Sequence, residues 1–148
     1  MKTIFVINGP NLNLLGIREP GIYGKTTYDG LLEEIQSYCT KKEVRPVFVQ
    51  SNHEGDLVDA IHRAFFEKAW GVVINPGAYT HTSIALLDAV KGTGLPTVEV
   101  HISDVNSRES FRRVSYIREA CLATISGHGI KGYLEAIDLL LAREENAL

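Results

Sequence analysis

The run Glu99-Val100-His101-Ile102-Ser103 sets an acid and an imidazole two residues apart in a β-rich segment. Side chains alternate along a strand, so Glu99 and His101 share one face. A carboxylate in a central strand is costly to bury unless it is paired. Pairing with His101 relieves that cost, orients the imidazole and raises its pKa, which suits a general acid near neutral pH. The plainer alternative is an ion pair with a structural role alone; the position of His101 at the end of the strand favours chemistry. Downstream, Arg108, Arg112 and Arg113 offer guanidinium forks for a carboxylate.

A second candidate lies in the connection from Gly9 to Gly24. Links between a strand and a helix usually run about 2–6 residues, and much longer ones carry function or are disordered. The apolar residues here argue against disorder. Arg18 and Tyr23 flank a Pro-Gly turn. A phenol is a poor base at neutral pH, with a pKa of about 10, and a neighbouring guanidinium lowers it. On this pair alone, a tyrosine packed on its loop beside a solvated arginine is the simpler reading.

The third segment, Asn75 to Ser83, leads from a strand into a helix. Thr80, Thr82 or Ser83 can cap that helix, and its free N–H groups can hold an anion or hydroxyl. His81 is either a donor facing a ligand or a surface histidine. A fourth segment, Gly127 to Gly132, matches G-x-G-x-x-G. A dinucleotide fingerprint also needs a following strand with an acidic residue about 20 residues on, and the sequence after Gly132 holds none. These glycines are read as a tight turn with close helix packing, and no nicotinamide cofactor is expected. No His, Cys and carboxylate set has ligand spacing, so no metal is expected.

Such residues need a scaffold. Ile4 to Ile7, Val47 to Val49, Gly71 to Ile74, Val98 to Ile102 and Leu122 to Ile125 read as strands. Leu31, Leu32, Ile35, Tyr38 and Cys39 recur at helical spacing, as do Leu57, Ile61, Ala64 and Phe65, with Ser51 and Glu54 spaced as a capping box. Ile84 to Val90 forms a third helix, and Tyr133, Leu134, Ile137, Leu140 and Leu141 mark a last one. Continuous apolar strands alternating with helices imply a parallel sheet covered on both faces. The expected fold is therefore α/β, a single flavodoxin-like domain over residues 1–148 with a five-stranded parallel sheet. Ligands in such sheets bind beyond the carboxyl ends of the strands. Those ends carry Asn8, Gln50-Ser51-Asn52, Asn75, and Glu99 with His101.

A net charge of −3 without a basic stripe argues against nucleic acid as a partner. No apolar run reaches membrane-spanning length, and the first residues do not resemble a signal peptide. Cys39 and Cys121 show no C-x-x-C spacing, which fits free thiols in a reducing compartment. A cytoplasmic enzyme fits these features, and so does any cytoplasmic domain.

The assembled segments resemble the type II dehydroquinases. The matching motifs are G-P-N-L-N-L-L-G-x-R-E-P-x-x-Y-G from Gly9, N-P-G-A-Y-T-H-T-S from Asn75, E-V-H-I-S from Glu99, R-E-x-F-R from Arg108 and G-x-G-x-x-G-Y from Gly127. The resemblance implies reversible, cofactor-free dehydration of 3-dehydroquinate to 3-dehydroshikimate through an enolate. It implies that Tyr23 is the base, Arg18 lowers its pKa, and Asn11 holds the water that stabilises the enolate. His101 would protonate the departing hydroxyl, with Glu99 orienting it. Asn75, His81 and Arg112 would bind hydroxyls and carboxylate, together with the Ile102 and Ser103 N–H groups. Asp88 would reach a neighbouring subunit's site in a homododecamer of four trimers. No Schiff-base lysine is required, and none falls at the expected active end.

Four residues depart from the pattern. Asp104 and Asn106 stand where the family usually has Asn and His or an aromatic, which places extra negative charge near the carboxylate site. Leu87 replaces a frequent Arg, which bears on the subunit contact, and His128 replaces an apolar residue. The rival classes are a receiver module and a flavin-binding module. A receiver needs acidic residues where Asn8 and Asn75 stand. A flavin site needs a Ser/Thr-rich first loop, and this loop has neither residue before Thr26.

Overall fold

The computed structural model describes residues 1–17 and 26–143. In chain order these form β1 (Lys2–Asn8), α1 (Tyr28–Lys41), β2 (Val44–Gln50), α2 (Glu54–Phe66), β3 (Gly71–Asn75), α3 (Ile84–Thr93), β4 (Thr97–His101), β5 (Ala123–Ser126) and α4 (Lys131–Ala142). The strands make one sheet in the order β2-β1-β3-β4-β5, with every neighbouring pair parallel. This is the doubly wound order expected from the sequence.

Strand alternation divides the core in two. Phe5, Ile7, Val72 and Ile74 face α2 and α3, where Leu57, Ile61, Leu86 and Val90 meet them. Ile4, Val6, Val73, Val98 and Val100 face α1 and α4, against Leu31, Ile35, Tyr133 and Ile137. Both faces are dry, so the strands read as apolar runs until their last residues. There the register aligns polar side chains: Asn8 lies opposite Gln50 on one side and Asn75 on the other, while Glu99 lies opposite Thr124 and His101 opposite Ser126. β2 is an edge strand, which lets it begin at Val44 and carry Pro46 without breaking an inner ladder.

The fold departs locally from the sequence reading. Ser51 and Glu54 form no capping box. His53 is the residue before α2, and the Ser51 hydroxyl instead accepts from the His53 N–H at 3.0 Å and donates to Asp56 at 2.6 Å. A turn closed by Ser51 competes with the cap and wins. Phe65 leaves the predicted stripe and is 45% exposed. Between β4 and β5, where no helix is read from the sequence, the chain makes three short 3-10 turns, at Val105–Ser107, Ser110–Arg113 and Ile117–Ala120. That stretch lacks a 3.6-residue apolar stripe, and its Asp and Ser side chains bond to nearby backbone. Ser83 is the cap chosen among the three candidates, accepting from the Leu86 N–H at 3.0 Å.

Two features frame the ends of the sheet. At the carboxyl end, a Cβ on Gly9 would stand 2.3 Å from the Pro76 carbonyl oxygen, so only glycine lets the loops after β1 and β3 touch. At the amino end, Trp70 lies between the Lys2 ammonium and the Arg143 guanidinium, 4.1 and 4.8 Å from its ring centre, and donates to the Leu140 carbonyl at 2.6 Å.

Candidate active site

A cavity of about 240 Å³ opens at the carboxyl ends of β1, β3 and β4. Asn11, Asn75, His81, His101, Ile102, Ser103 and Arg112, all named from the sequence, line it together with Arg108. Glu99 stands behind His101 on the same strand face. Arg18 and Tyr23 lie outside the described residues. Asp88 is not in this cavity: it is exposed on α3, beside a groove lined by His62, Phe65 and Phe66. A larger depression of about 600 Å³ lies at the opposite end of the sheet, around Lys2, Trp70 and Pro96. Open α/β sheets place ligands at the other end.

The loop after β1 is held from β2. The Asn11 N–H donates to Asn52 Oδ1 at 3.0 Å, and the Gln50 amide donates to the Gly9 carbonyl at 3.2 Å. Asn11 itself adopts a left-handed conformation, φ 69°, which asparagine tolerates better than most residues.

Glu99 is fully buried and its carboxylate is saturated with donors. Oε2 accepts from His101 Nε2, from the Ser115 hydroxyl at 2.9 Å and from Arg118 Nη2 at 3.4 Å, while Oε1 accepts from Thr124 at 3.1 Å. Burial pushes this carboxyl up, but the His101 hydrogen bond and charge, the Arg118 guanidinium and the Ser115 hydroxyl outweigh it and hold the group below its ordinary 4.5. The His101 proton toward Glu99 sits on Nε2, so Nδ1 is left for exchange with a ligand. Ser115, Arg118 and Thr124 escaped the sequence reading: the first two lie on an aperiodic stretch, and Thr124 meets Glu99 only through strand register.

The sign of the Glu99 shift gives a stability prediction. A carboxyl whose folded pKa is depressed stabilises the fold above its unfolded value, and that contribution disappears as pH falls through the folded value. The stability difference between wild type and Glu99→Gln should therefore be largest above pH 4.5 and shrink below it. Urea denaturation across a pH series measures this, and a difference independent of pH would contradict it.

His81 Nδ1 lies 2.7 Å from the Val114 carbonyl, which can only accept, so Nδ1 carries hydrogen. Burial holds the ring below the ordinary imidazole value despite that carbonyl. With Nδ1 spent on the Val114 carbonyl, Nε2 is the ring nitrogen left to meet a ligand in the cavity. Arg112 is anchored through Nε to Glu109 at 2.7 Å, and its guanidinium lies 5.1 Å from the Phe111 ring centre, leaving the terminal nitrogens for an anion.

Three departures from the motif pattern now have physical roles. Asp104 does not line the cavity; its carboxylate caps the turn at Val105–Ser107 by accepting from the Asn106 N–H at 3.0 Å. Leu87 is 7% exposed and belongs to the core between α2 and α3, so it is no surface group at a subunit contact. His128, in the turn before α4, lies 2.7 Å from Glu135 on the helix.

The fold and the cavity define an α/β protein with a polar, ligand-sized site at the carboxyl edge of a doubly wound sheet. The family model for class II dehydroquinases matches residues 2–141, and the chain belongs to that family. It is 55% identical to a 3-dehydroquinate dehydratase of Caldicellulosiruptor saccharolyticus, across 93% of this chain and 94% of the relative. It is 51% identical to a catabolic 3-dehydroquinase of Pyricularia oryzae, across 95% and 90%. The crystal structure of the type II dehydroquinase of Butyrivibrio crossotus superposes with a TM-score of 0.93 at 50% identity, covering 95% of this chain and 97% of that one. Among the described residues, no helix is long and apolar enough to cross a membrane.

Proposed function

We propose that this chain dehydrates 3-dehydroquinate reversibly to 3-dehydroshikimate, as a lyase working through an enolate. The observation that carries the reading is the buried His101–Glu99 pair at the mouth of a cavity also lined by Asn75, His81 and Arg112. Tyr23 removes the proton alpha to the ketone, and Arg18 favours its phenolate. Charge then moves onto the carbonyl oxygen, where a water held by Asn11 stabilises the enolate. His101 delivers a proton to the β-hydroxyl as the C–O bond breaks, and water leaves. Glu99 holds the His101 ring in register. The carboxylate of the substrate meets Arg112 and the Ile102 and Ser103 N–H groups, while Asn75 and His81 meet its hydroxyls. The route uses no cofactor and no metal. A cytoplasmic setting suits an enzyme of this kind.

The test is an absorbance assay with dehydroquinate, since the product is a conjugated enone and the substrate is not. Growth of the enone band at a rate set by enzyme concentration is the expected result. No turnover by folded protein would overturn the reading.

Assembly forms part of the proposal. Asp88 is exposed on α3 and well outside its own chain's cavity, which fits a role in a neighbour's site across a trimer interface in a dodecamer of four trimers. Asp88→Ala should weaken the trimer or the substrate affinity while leaving the protomer fold intact. Light scattering coupled to size exclusion, with the assay run on each species, checks this. A fully active monomer would remove Asp88 from any shared site.

A further inference from the structure

Beneath the cavity a chain of polar groups links four elements of the fold, β3, α4, β1 and α1. Gly77 N–H lies 3.2 Å from Asn75 Oδ1, and a backbone N–H can only donate, so that oxygen is fixed as the acceptor. Asn75 Nδ2 then faces the Tyr133 hydroxyl at 3.1 Å and must donate to it. The Tyr133 hydroxyl spends its one hydrogen on Asn8 Oδ1 at 2.6 Å. Asn8 Nδ2 in turn points at the Tyr28 hydroxyl, 3.5 Å away at the start of α1. Asn8 and Tyr133 are wholly buried and Asn75 nearly so, hence water does not compete for these bonds. Each link has one polarity, and each polarity agrees with the next.

We propose that Tyr133 and Asn8 are positioning residues that lock the Asn75 amide, so that Asn75 offers an N–H to the cavity and a bound ligand must meet it with an acceptor oxygen. This deepens the dehydratase reading and rests on it for the identity of the ligand. One hydrogen of Asn75 Nδ2 goes to Tyr133, and the other is the one a ligand can take. Without the phenol, Nδ2 loses its partner and the amide gains freedom to turn. Without the Asn8 oxygen, the phenol hydrogen turns toward Asn75 and sets the amide against its bond from Gly77. Neither Tyr133 nor Asn8 touches the ligand; both act through Asn75.

The test is a double-mutant cycle on kcat/KM for dehydroquinate. Tyr133→Phe should lower kcat/KM about tenfold or more, chiefly through KM, since a lost buried hydrogen bond leaves its partner unsatisfied. In an Asn75→Ala background the same change should cost nothing further, because the group it positions is gone. A purely structural role would multiply the two losses. Asn8→Leu, which keeps the phenol, should show the same dependence on Asn75 and serves if Tyr133→Phe does not fold. An unchanged kcat/KM in Tyr133→Phe, or multiplicative losses in both cycles, overturns the proposal. Inactive wild-type protein would instead bring down the dehydratase reading. The wiring is then read without ligand, from exchange of the Asn75 side-chain amide protons. The proton that meets Tyr133 should be protected in wild type and released in Tyr133→Phe or Asn8→Leu, and equal exchange of it in all three would overturn the proposal.

Discussion

Replacing Tyr23 with Phe is expected to lower kcat by about 10²–10⁴-fold, the usual cost of losing a general base. The substitution deletes one oxygen and keeps the ring. What disappears is the group proposed to take the proton alpha to the ketone. The cavity residues proposed to meet the substrate's carboxylate and hydroxyls stay in place, so affinity for the product should hold within a few-fold. Solvent deuterium exchange into the alpha position separates this from a general disturbance: in Tyr23→Phe exchange and turnover should fall together. Turnover within a few-fold of wild type would transfer the base role to another group.

His101→Ala should produce a loss of turnover of the same order, about 10²–10⁴-fold, but at the other half of the reaction. On the proposed mechanism the enolate can still form, since Tyr23 and Asn11 are untouched. It then waits, because no acid meets the departing hydroxyl, and it returns to substrate after exchanging its proton with solvent. Deuterium exchange should therefore outrun product formation in this variant. The deletion also strips Glu99 of one of its four donors, leaving Ser115, Arg118 and Thr124 to hold the carboxylate. That residual support predicts a folded protein, so the kinetic comparison can be made. Exchange and turnover lost in parallel would place His101 in the first step.

Much of this arrangement was legible in the sequence because it follows from period and position. Strand alternation alone put Glu99 and His101 on one face, and the parallel order brought Asn75, His81 and Arg112 to the same edge. The supporting groups were not legible. Tyr133 sits at a core-facing helical position and reads as an apolar residue; its hydroxyl matters only because β1 and β3 end in asparagines beside it. Arg118 and Ser115 lie on a stretch with no periodicity, so nothing in their spacing pointed to Glu99. Ser51 had the spacing of a capping box, yet Asp56 lay closer to hand and a local turn took its hydroxyl. In each case pairwise geometry between distant segments decided the outcome, and one-dimensional pattern carries little of that.

The seating of Trp70 sets what light can report about this protein. It is the sole tryptophan, and it precedes β3 at the edge of the sheet away from the cavity. Five strand residues separate it from the level of Asn75, roughly 17 Å at the usual rise. Its indole is clasped by a lysine and an arginine and tied to the last turn of α4. Emission from that ring follows the docking of α4 on the sheet and is blind to occupancy of the distant cavity. Fluorescence thus gives a clean unfolding signal for every active-site variant, free of interference from bound substrate, whereas binding has to be followed by calorimetry or by the ligand's own spectrum.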